Sequence, residues 1–354
     1  MPDKQITFAT TGFERFSKRT KRAQFLDEMD EVIPWARLCQ IVERHYPTEG
    51  GVGRPPVGLE RMLRMYFLQH WFNLSDPAVE EALYDSIAMR GFVGIDLGRE
   101  RVPDETTVCK FRHLLERHRL GQRIFKAVNA HLAHSGMTIG RGTIVDATII
   151  HAPSSTKNKA EERDPEMHST RKGNQWYFGM KAHIGVDSKS GLVHSMVVTA
   201  ANVHDSQRLP DLLHGGETRV WGDSAYMGQK AAIEKRAPGA KDFTNKRARR
   251  NHPLSKAERA VNRTKSRVRA KVEHPFCVVK RLWGFTKVRI VAFPRTRTGS
   301  SSPLRYRISS YHATSFSVDK GRSVSLEPDL TIFRSAEGPS EAGRDGVTLL
   351  GCSM

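Results

Sequence analysis

The chain has 354 residues, 38% of them hydrophobic and 27% charged, which is typical of a soluble folded protein and long enough for two domains. Lys and Arg total 57 against 38 Asp and Glu, and the resulting net charge of +19 favours a polyanionic partner such as nucleic acid. No apolar run approaches the ~20 residues needed to span a bilayer, and the N-terminus lacks the apolar core of a signal peptide. The cysteines form no CxxC pair. We therefore expect a cytoplasmic protein with no membrane partner, disulfide framework or cysteine zinc site.

The first part of the chain, up to about residue 136, has the periodicity of helices. Apolar residues recur at helical spacing from Leu59 to Trp71, with charged residues on the other face. Asp104 is a predicted N-cap for the helix ETTVCKFRHLLERH. Lys110 and Arg112 lie on this helix and are predicted to contact DNA, because a short helix followed by a basic one suits groove or phosphate binding. A plain helical bundle with solvated charges is the alternative.

The pattern changes near residue 137, where β-branched residues predict strands. MTIGRGTIVDATIIHA predicts one strand, and YFGMKAHIGVD and GLVHSMVVTA predict a hairpin closed by the turn DSKSG. A short helix after His204, a strand in TRVWGDSAY, a helix in GQKAAIEKR and a long helix from Ser255 complete an α/β domain with a mixed sheet. The polar stretch from residue 153 to 175 has no periodicity and is predicted to be an exposed, flexible loop.

The long helix combines an apolar stripe with a dense positive charge. The predicted stripe is Ala257, Val261, Thr264, Val268 and Val272. From residue 246 to 271 there are eleven Lys or Arg and a single acid, Glu258. Like charges at this density repel unless a polyanion compensates them, so the helix is a predicted DNA surface. Its predicted DNA contacts are Arg267, Arg269 and Lys271, with Lys280 further along the chain.

Three carboxylates are candidates for chemistry. Asp146 interrupts the apolar strand GTIVDATII, Asp223 ends the strand RVWGD, and Glu273 lies on the basic helix. Each alone is more often a cap, a turn residue or half of a surface ion pair. Together they supply the hard oxygen ligands that Mg²⁺ prefers, and two such ions about 3.5–4 Å apart can promote in-line phosphoryl transfer. We therefore predict Asp146, Asp223 and Glu273 as both catalytic residues and metal ligands.

The surroundings of Glu273 support this prediction. Arg269 lies four residues before it and Lys280 seven after, so an unbroken helix would present all three on one face. Pro275 removes a backbone donor and is expected to kink the helix just after Glu273. The histidines of this region match no compact zinc-ligand spacing, and we expect them to be core or surface residues. They are His168, His183, His194 and His204.

These blocks resemble the DDE transposases of bacterial insertion sequences, specifically the "insertion sequence five" family, over residues 5–289. The strongest matches are TIVDATIIHAPSSTKN, WYFGMKAHIGVDSKSGLVHS, ANVHDS, WGDSAY and RVRAKVEHPFCVVKRLWGF. PDETTVCKFRHLLE and RPPVGLERMLRMYFLQHWFNLSD are similar to the family's helical DNA-binding portion. The family signature around the glutamate is Tyr, Arg, Glu and Lys at fixed spacing. Arg269, Glu273 and Lys280 match it, whereas Ser266 occupies the tyrosine position.

The resemblance implies an RNase H-like mixed-sheet catalytic domain preceded by an all-helical DNA-binding region. It implies two Mg²⁺ ions, for which Mn²⁺ can substitute. It further implies binding of terminal inverted repeats, hydrolytic nicking at the element ends and attack of the freed 3′-OH on target DNA. A homodimer or higher oligomer is expected on DNA.

Three segments follow from these observations: residues 1–136 as the helical DNA-binding domain, 137–290 as the catalytic domain and 291–354 as a disordered tail. After KVR the family continues with a segment like YRGLxKN, whereas this chain reads IVAFPRTRTGSSS. Residues 290–296 can be encoded by a choice of codons that, read with one added nucleotide in front, encode Tyr-Arg-Gly-Leu-Pro-Lys-Asn in the shifted frame. We infer that the gene lost a nucleotide near the codon for Arg289. A genuine disordered extension is the alternative.

Three rival functions remain open from the sequence. The chain could be a DNA-binding protein without catalysis, which uses only the helical region and the basic helix. It could be an RNase H-like nuclease that cuts DNA without joining it. It could also be a catalytically impaired transposase relic that acts only by binding DNA. A strand-transfer product would separate the enzyme from the first two.

Overall fold

The structure, a computed structural model, describes residues 18–47, 55–137, 140–156, 163–250 and 252–287. The segment 291–354, predicted from its sequence to be a disordered tail, lies outside the described residues.

The described part of the first 136 residues is helical. Its helices are α1 (Lys21–Val32), α2 (Trp35–Val42), α3 (Leu59–Trp71), α4 (Asp76–Asp85), α5 (Ile87–Val93), α6 (Glu105–Arg117) and α7 (Leu120–His134). The prediction of a helix from Leu59 to Trp71 is confirmed, and so is the N-cap at Asp104, whose carboxylate accepts the backbone N–H of Thr107 at 2.7 Å. Trp35 lies edge-on to Phe67, with ring centroids 5.4 Å apart.

A six-stranded sheet follows the helices. Its strands are β1 (Gly142–His151), β2 (His168–Lys172), β3 (Gln175–Asp187), β4 (Val193–Ala200), β5 (Arg219–Trp221) and β6 (Lys241–Asp242). The order is β2-β3-β1-β5-β6, and β4 also pairs with β3. β1 is antiparallel to β3 but parallel to β5, and β5 is parallel to β6. The predicted strands and the β3–β4 hairpin are confirmed, and the sheet is mixed as expected.

The two strands on one side of β3 pair with it in succession. β2 pairs with the first half of β3, up to Gly179, and β4 pairs with the second half, from Met180. Gly179 has a φ of 152°, and a Cβ there would lie 2.2 Å from the carbonyl oxygen of Ile150. Only glycine fits at this change of partner. The prediction of a loop from residue 153 to 175 is therefore wrong for its last part, because β2 is a strand.

The connections contain short helices at the predicted places. They are α8 (Leu209–Leu212), preceded by a 3₁₀ turn at Asp205–Arg208, and α9 (Lys230–Arg236); a 3₁₀ turn at Ser224–Tyr226 follows β5. The basic helix begins at a capping box, in which Ser255 and Glu258 satisfy each other's backbone N–H groups. It is not one continuous α-helix. α10 (Lys256–Arg269) passes through a 3₁₀ turn (Ala270–Val272) into α11 (Glu273–Cys277) and a π-helical turn (Val278–Leu282).

The predicted apolar stripe of the basic helix is only partly buried. Val272 is fully buried and Val268 packs beside it, but α10 contains no fully buried residue, and Val261 is 52% exposed. α10 packs on β1 and β5 near its C-terminal end and leaves most of its surface to solvent. The stripe prediction is therefore wrong for the first half of the helix.

The predicted fold class, a helical region followed by a mixed α/β sheet domain, is confirmed. The largest hydrophobic cluster joins the two parts, since it contains side chains of α1–α7 together with Ile150, Met180 and Trp283. Within the described ranges, no helix is both long and apolar enough to cross a membrane.

Candidate active site

Two of the three predicted carboxylates lie along a pair of parallel strands, Asp146 within β1 and Asp223 two residues after the end of β5. In the register of β1 and β5, Ile144 stands opposite Trp221. Asp146 and Asp223 each come two residues later, so the two aspartates end at the same level of the sheet. Asp223 follows the carboxyl end of β5, which is where open α/β sheets place their ligands, whereas β1 continues for five residues beyond Asp146.

The local structure around each aspartate fixes its carboxylate. Asp223 is the N-cap of the 3₁₀ turn at Ser224–Tyr226 and accepts the backbone N–H of Ala225 at 2.9 Å. Asp146 lies within β1, opposite Ile184 of β3, and accepts the backbone N–H of Ala147 at 2.8 Å. One oxygen of each carboxylate is thus held by the backbone.

Glu273, the third predicted residue, is brought to the same place by the broken helix. It is exposed and begins α11, immediately after the 3₁₀ turn that ends at the buried Val272. Its charge acts on Asp146, and so does the charge of Asp223. The structure therefore brings all three predicted carboxylates into one neighbourhood, although they are 77 and 50 residues apart along the chain.

The electrostatics of Asp146 are unusual for an aspartate. Burial raises its pKa from 3.8 to about 7, and the charges of Asp223 and Glu273 raise it further. The Ala147 N–H and the Arg269 guanidinium oppose this effect. Arg269 Nη1 lies 3.4 Å from Asp146 Oδ2, and this carboxylate is 14% exposed. The shift is therefore mainly an effect of burial, which outweighs the Ala147 N–H and Arg269, and a pKa perturbed in this way is common at functional sites.

The donor set fits a hard divalent cation. Within the described ranges, no three His, Cys, Asp or Glu side chains form a cluster that could hold a metal ion as placed. Mg²⁺ does not need one, because it usually keeps several waters and binds one or two protein carboxylates together with substrate phosphates. Asp146 and Asp223 would be those two ligands, since a backbone N–H fixes one oxygen of each, and the exposed Glu273 could complete the site with a substrate phosphate.

Tyr226 belongs to this neighbourhood, although its position was not predicted. The ring is fully buried, and its pKa is raised by burial and then by Asp146, Asp205 and Asp223. Its hydroxyl has no hydrogen-bond partner among the described residues. An unpaired hydroxyl beside several carboxylates fits a site completed by water or substrate. The sequence signal was the aromatic residue that closes WGDSAY.

A second group, behind the aspartates, was also not predicted. Lys181 on β3 forms an ion pair with Asp205 at 2.8 Å and donates to the carbonyl of Val203 at the same distance. Asp205 also faces His183, whose Nδ1 lies 3.8 Å away. Burial lowers the pKa of His183 to about 4 despite this carboxylate. Lys181 and Asp205 therefore form an ion pair on the face of β3 opposite to the Asp146 face, and Asp205 links this pair to Tyr226, whose pKa it also raises.

The predicted DNA-contacting residues fall into two groups. Arg267, Lys271 and Lys110 are exposed, and Lys271 also donates to the carbonyl of Ser188 at 2.7 Å. Arg269 and Lys280 are partly buried. Burial lowers the pKa of Lys280, as does the neighbouring charge of Lys172, while Glu273 opposes the shift.

Arg112 does not fit its predicted role in DNA contact. Its side chain is 9% exposed and forms ion pairs with Asp76 at 2.6 Å and with Glu116 at 3.6 Å. A phosphate could reach it only by displacing these partners, so Arg112 is a structural residue that joins α4 to α6. The sequence did not reveal this, because the partner on α4 is 36 residues away.

Ser266, at the position of the family tyrosine, has a structural contact. It accepts a hydrogen bond from the side-chain amide of Asn245 at 3.1 Å, and the backbone of Asn245 donates to the carbonyl of Gly222 at 3.1 Å. The side chain therefore ties α10 to the end of β5. The signature arginine of α10 and the Asp223 turn are held together by this link.

The buried histidines of the sheet are hydrogen-bonded to neighbouring hydroxyls. His183 Nε2 lies 2.9 Å from the hydroxyl of Thr199, and His194 Nε2 lies 3.1 Å from that of Thr143. Burial and the nearby His214 lower the pKa of His194 to about 4. Both rings are therefore neutral at neutral pH.

Comparison with known protein families gives two matches. Residues 138–299 match a family described as a transposase DDE domain, and this range holds all three candidate carboxylates. Residues 14–114 match a family described as a transposase domain (DUF772), which covers α1–α5 and most of α6. A mixed sheet of this kind after a helical region is consistent with an RNase H-like DDE domain. The two matches and the architecture together support membership of this chain in the DDE transposase family.

Proposed function

We propose that this chain is the transposase of a bacterial insertion sequence of the "insertion sequence five" family. It binds the terminal inverted repeats, nicks DNA by Mg²⁺-dependent hydrolysis and joins the 3′-OH to target DNA. The observation that carries the proposal is the placement of Asp146 and Asp223 at one level of adjacent parallel strands, with Glu273 and the basic helix beside them.

Each side chain has a distinct role in this proposal. Asp146 and Asp223 would hold Mg²⁺ or Mn²⁺, and Glu273 would complete the site when DNA is present. When bound, the cations supply Lewis-acid stabilisation of the attacking and leaving oxygens. Arg269 neutralises part of the Asp146 charge at 3.4 Å and is placed to contact a substrate phosphate. Lys280, partly buried near Glu273, would bind a second phosphate.

The chemistry consists of two phosphoryl transfers. In the first, water attacks a phosphodiester at the element end, and the bond to the 3′ oxygen breaks to leave a 3′-OH. In the second, this 3′-OH attacks a target phosphodiester, and a target 3′ oxygen leaves. Each step forms one P–O bond and breaks one, so no energy cofactor is needed.

DNA would lie along the exposed cations. Arg267 and Lys271 extend the site along α10, and Lys110 on α6 offers a contact from the helical region. We propose residues 1–136 as the DNA-binding domain and 137–290 as the catalytic domain, acting as a homodimer or higher oligomer on DNA. The proposed tail at 291–354 lies outside the described residues.

The test is a plasmid assay with an element flanked by its inverted repeats. Asp146→Asn, Asp223→Asn and Glu273→Gln should each abolish Mg²⁺-dependent nicking and joining. DNA binding should survive, because phosphate contacts are separate from metal ligation. Asp211→Asn is the matched control, since this carboxylate is 48% exposed and pairs only with Arg208 among the described residues. Normal cleavage by Asp223→Asn would refute the assignment.

A catalytically impaired transposase that acts only by binding DNA is the second candidate. Ser266 favours it, because the family signature has a tyrosine there. The same assay distinguishes the two, since an impaired protein would bind the ends without nicking them. Recovery of nicking by Ser266→Tyr would locate the impairment at this position.

A further inference from the structure

The hairpin formed by β2 and the start of β3, residues 168–178, is a polar arm beside the candidate site. We refer to it as the hairpin arm. Its strands pair from His168 opposite Gly179 to Lys172 opposite Gln175, and Gly173 takes a φ of 62° in the turn. Every residue from Arg171 to Trp176 is exposed. The arm therefore presents both of its faces to solvent at the tip.

Trp176 is unusual on this polar arm, because it is a large aromatic side chain that is mostly exposed to solvent. Its side chain is 67% exposed, whereas Trp35, Trp71, Trp221 and Trp283 are between 3% and 8% exposed. These five are all the tryptophans of the chain. A large exposed aromatic ring next to cations suits base stacking on single-stranded nucleic acid.

Positive charges accompany the tryptophan. Arg171 stands directly opposite Trp176 in the register, so the two side chains share one face of the arm. The guanidinium of Arg163 lies 5.4 Å from the ring centroid of Phe178, which is on that same face. Lys172 is on the other face. The tip thus offers an aromatic ring and cations, and a polyanion is the complementary partner.

The position of the arm connects it to the candidate active site. Lys172 and Glu273 are both close enough to Lys280 for their charges to act on its ammonium group. On the Lys172 face of the arm, Tyr177 lies 4.8 Å from the ring of His151, at the end of β1. The Lys172 face of the arm therefore lies toward Lys280, whose ammonium group is also influenced by Glu273, while Trp176 projects from the opposite face.

We propose that the hairpin arm is a DNA-separating element, which inserts at the element end and stacks Trp176 on an unpaired base. The strand on the Lys172 face continues past Lys280 toward the carboxylates, and the base of the other strand rests on Trp176. This inference rests on the proposed function, because it takes the DNA end as the ligand.

Fluorescence quenching gives a test that does not require catalysis. Trp176 is the exposed tryptophan, so Trp176→Phe should remove most of the acrylamide-quenchable emission of the full-length protein. In EDTA, a duplex with a short unpaired overhang should protect wild-type Trp176 from acrylamide, and a blunt duplex of equal paired length should protect it less. Protection that grows with protein concentration in the absence of DNA would instead indicate contact with a second copy, and would overturn the proposal.

Affinity measurements on the same two DNAs separate stacking from charge. Trp176→Leu should weaken overhang binding by about fivefold or more, the low end of a base–aromatic stack, and leave blunt-duplex binding unchanged. Trp176→Phe should retain most of the preference for the overhang. Lys172→Gln should weaken binding of both DNAs equally and reduce the salt slope by about one. Equal loss on both DNAs for Trp176→Leu would overturn the stacking role.

Failure of this inference differs from failure of the proposed function. If DNA is bound and cut but Trp176 stays quenchable, the arm does not separate strands although the enzyme is a transposase. If Trp176 is protected by the overhang but no metal-dependent cleavage occurs, the proposed role of the hairpin arm is supported and the catalytic assignment is refuted. If the full chain binds neither DNA, both are refuted.

Discussion

Replacing Asp146 by asparagine should stabilise the metal-free protein while it abolishes cleavage. The carboxylate is 14% exposed, and burial with two nearby carboxylates raises its pKa from 3.8 to about 7. A group whose pKa is higher in the folded protein than in the unfolded chain stabilises the fold fully at pH values below its unfolded-state pKa. This stabilisation is lost as the pH rises through its folded-state pKa. Above about pH 7, the ionised carboxylate therefore costs up to about 4 kcal/mol.

The expected gain is smaller than this limit. Asparagine also loses the ion pair with Arg269, which is long at 3.4 Å and part-exposed, and which contributes about 1 kcal/mol at most. We expect Asp146→Asn to raise the free energy of unfolding in EDTA by about 2–3 kcal/mol near pH 8, and the difference should shrink toward about pH 4. Urea unfolding at several pH values measures it. Added Mg²⁺ should then stabilise the wild type and not the variant.

A buried carboxylate with a structural role provides the control. Asp187 is fully buried and accepts hydrogen bonds from the backbone N–H of Ser190 at 2.6 Å, from its hydroxyl at 2.6 Å and from the Lys189 N–H at 3.1 Å. Asp187→Asn should lose stability, because these donors favour the charged acceptor. If Asp146→Asn were destabilised like Asp187→Asn, Asp146 would be structural and the reasoning above would be refuted.

Three further predictions concern charge. Arg112→Ala should cost about 3 kcal/mol of stability, because Asp76 loses its charged partner and keeps the hydrogen bond from the Gln69 amide. Lys110→Ala on the same helix should keep stability and weaken DNA binding, and the reverse pattern would contradict the structural role of Arg112. DNA affinity should fall by about a hundredfold or more between about 50 and 200 mM salt, and a flat response would argue against α10 as a DNA surface. Because the pKa of His194 is lowered from 6.5 to about 4, its stabilising contribution is present above about pH 6.5 and is lost as the pH falls toward 4, by at most about 3 kcal/mol. In His194→Gln, the free energy of unfolding should depend less on pH between about pH 4 and 6.5. An unchanged slope in this range would contradict the lowered pKa of His194.

Much of the fold was predictable because the local pattern and the packing agree. The helix from Leu59 to Trp71 and the β3–β4 hairpin have apolar residues at the period of their own structure, and both formed as expected. β2 was missed because a strand with both faces in solvent needs no alternation. The basic helix was misjudged for the opposite reason. Its first half carries apolar residues such as Val261 at helical spacing, yet they stay exposed in the part of the chain that the structure describes.

Candidate residues for the site could be chosen from the sequence, but their arrangement in space could not. Asp146 and Asp223 became neighbours through the parallel pairing of β1 with β5, which depends on the whole topology. Arg112 shows the converse, since a basic residue on a predicted surface helix found a partner on another helix and became buried. Tyr226 reached the site through tertiary contacts, and its only signal in the sequence was its place at the end of WGDSAY.

The interruption of the basic helix lets Arg269, Glu273 and Lys280 point in different directions, which a continuous helix would not allow. An unbroken helix would place Arg269, Glu273 and Lys280 on the same face, where all three would point in one direction. Pro275 is the third residue of α11, where its missing N–H costs no helical hydrogen bond, so the helix can restart there after the 3₁₀ turn. As a result, Arg269 reaches Asp146, Glu273 stays exposed, and Lys280 lies within reach of the charge of Lys172 on the hairpin arm. A substitution that straightened this segment, such as Pro275→Ala, would therefore disturb the placement of the three charges more than the stability of the fold.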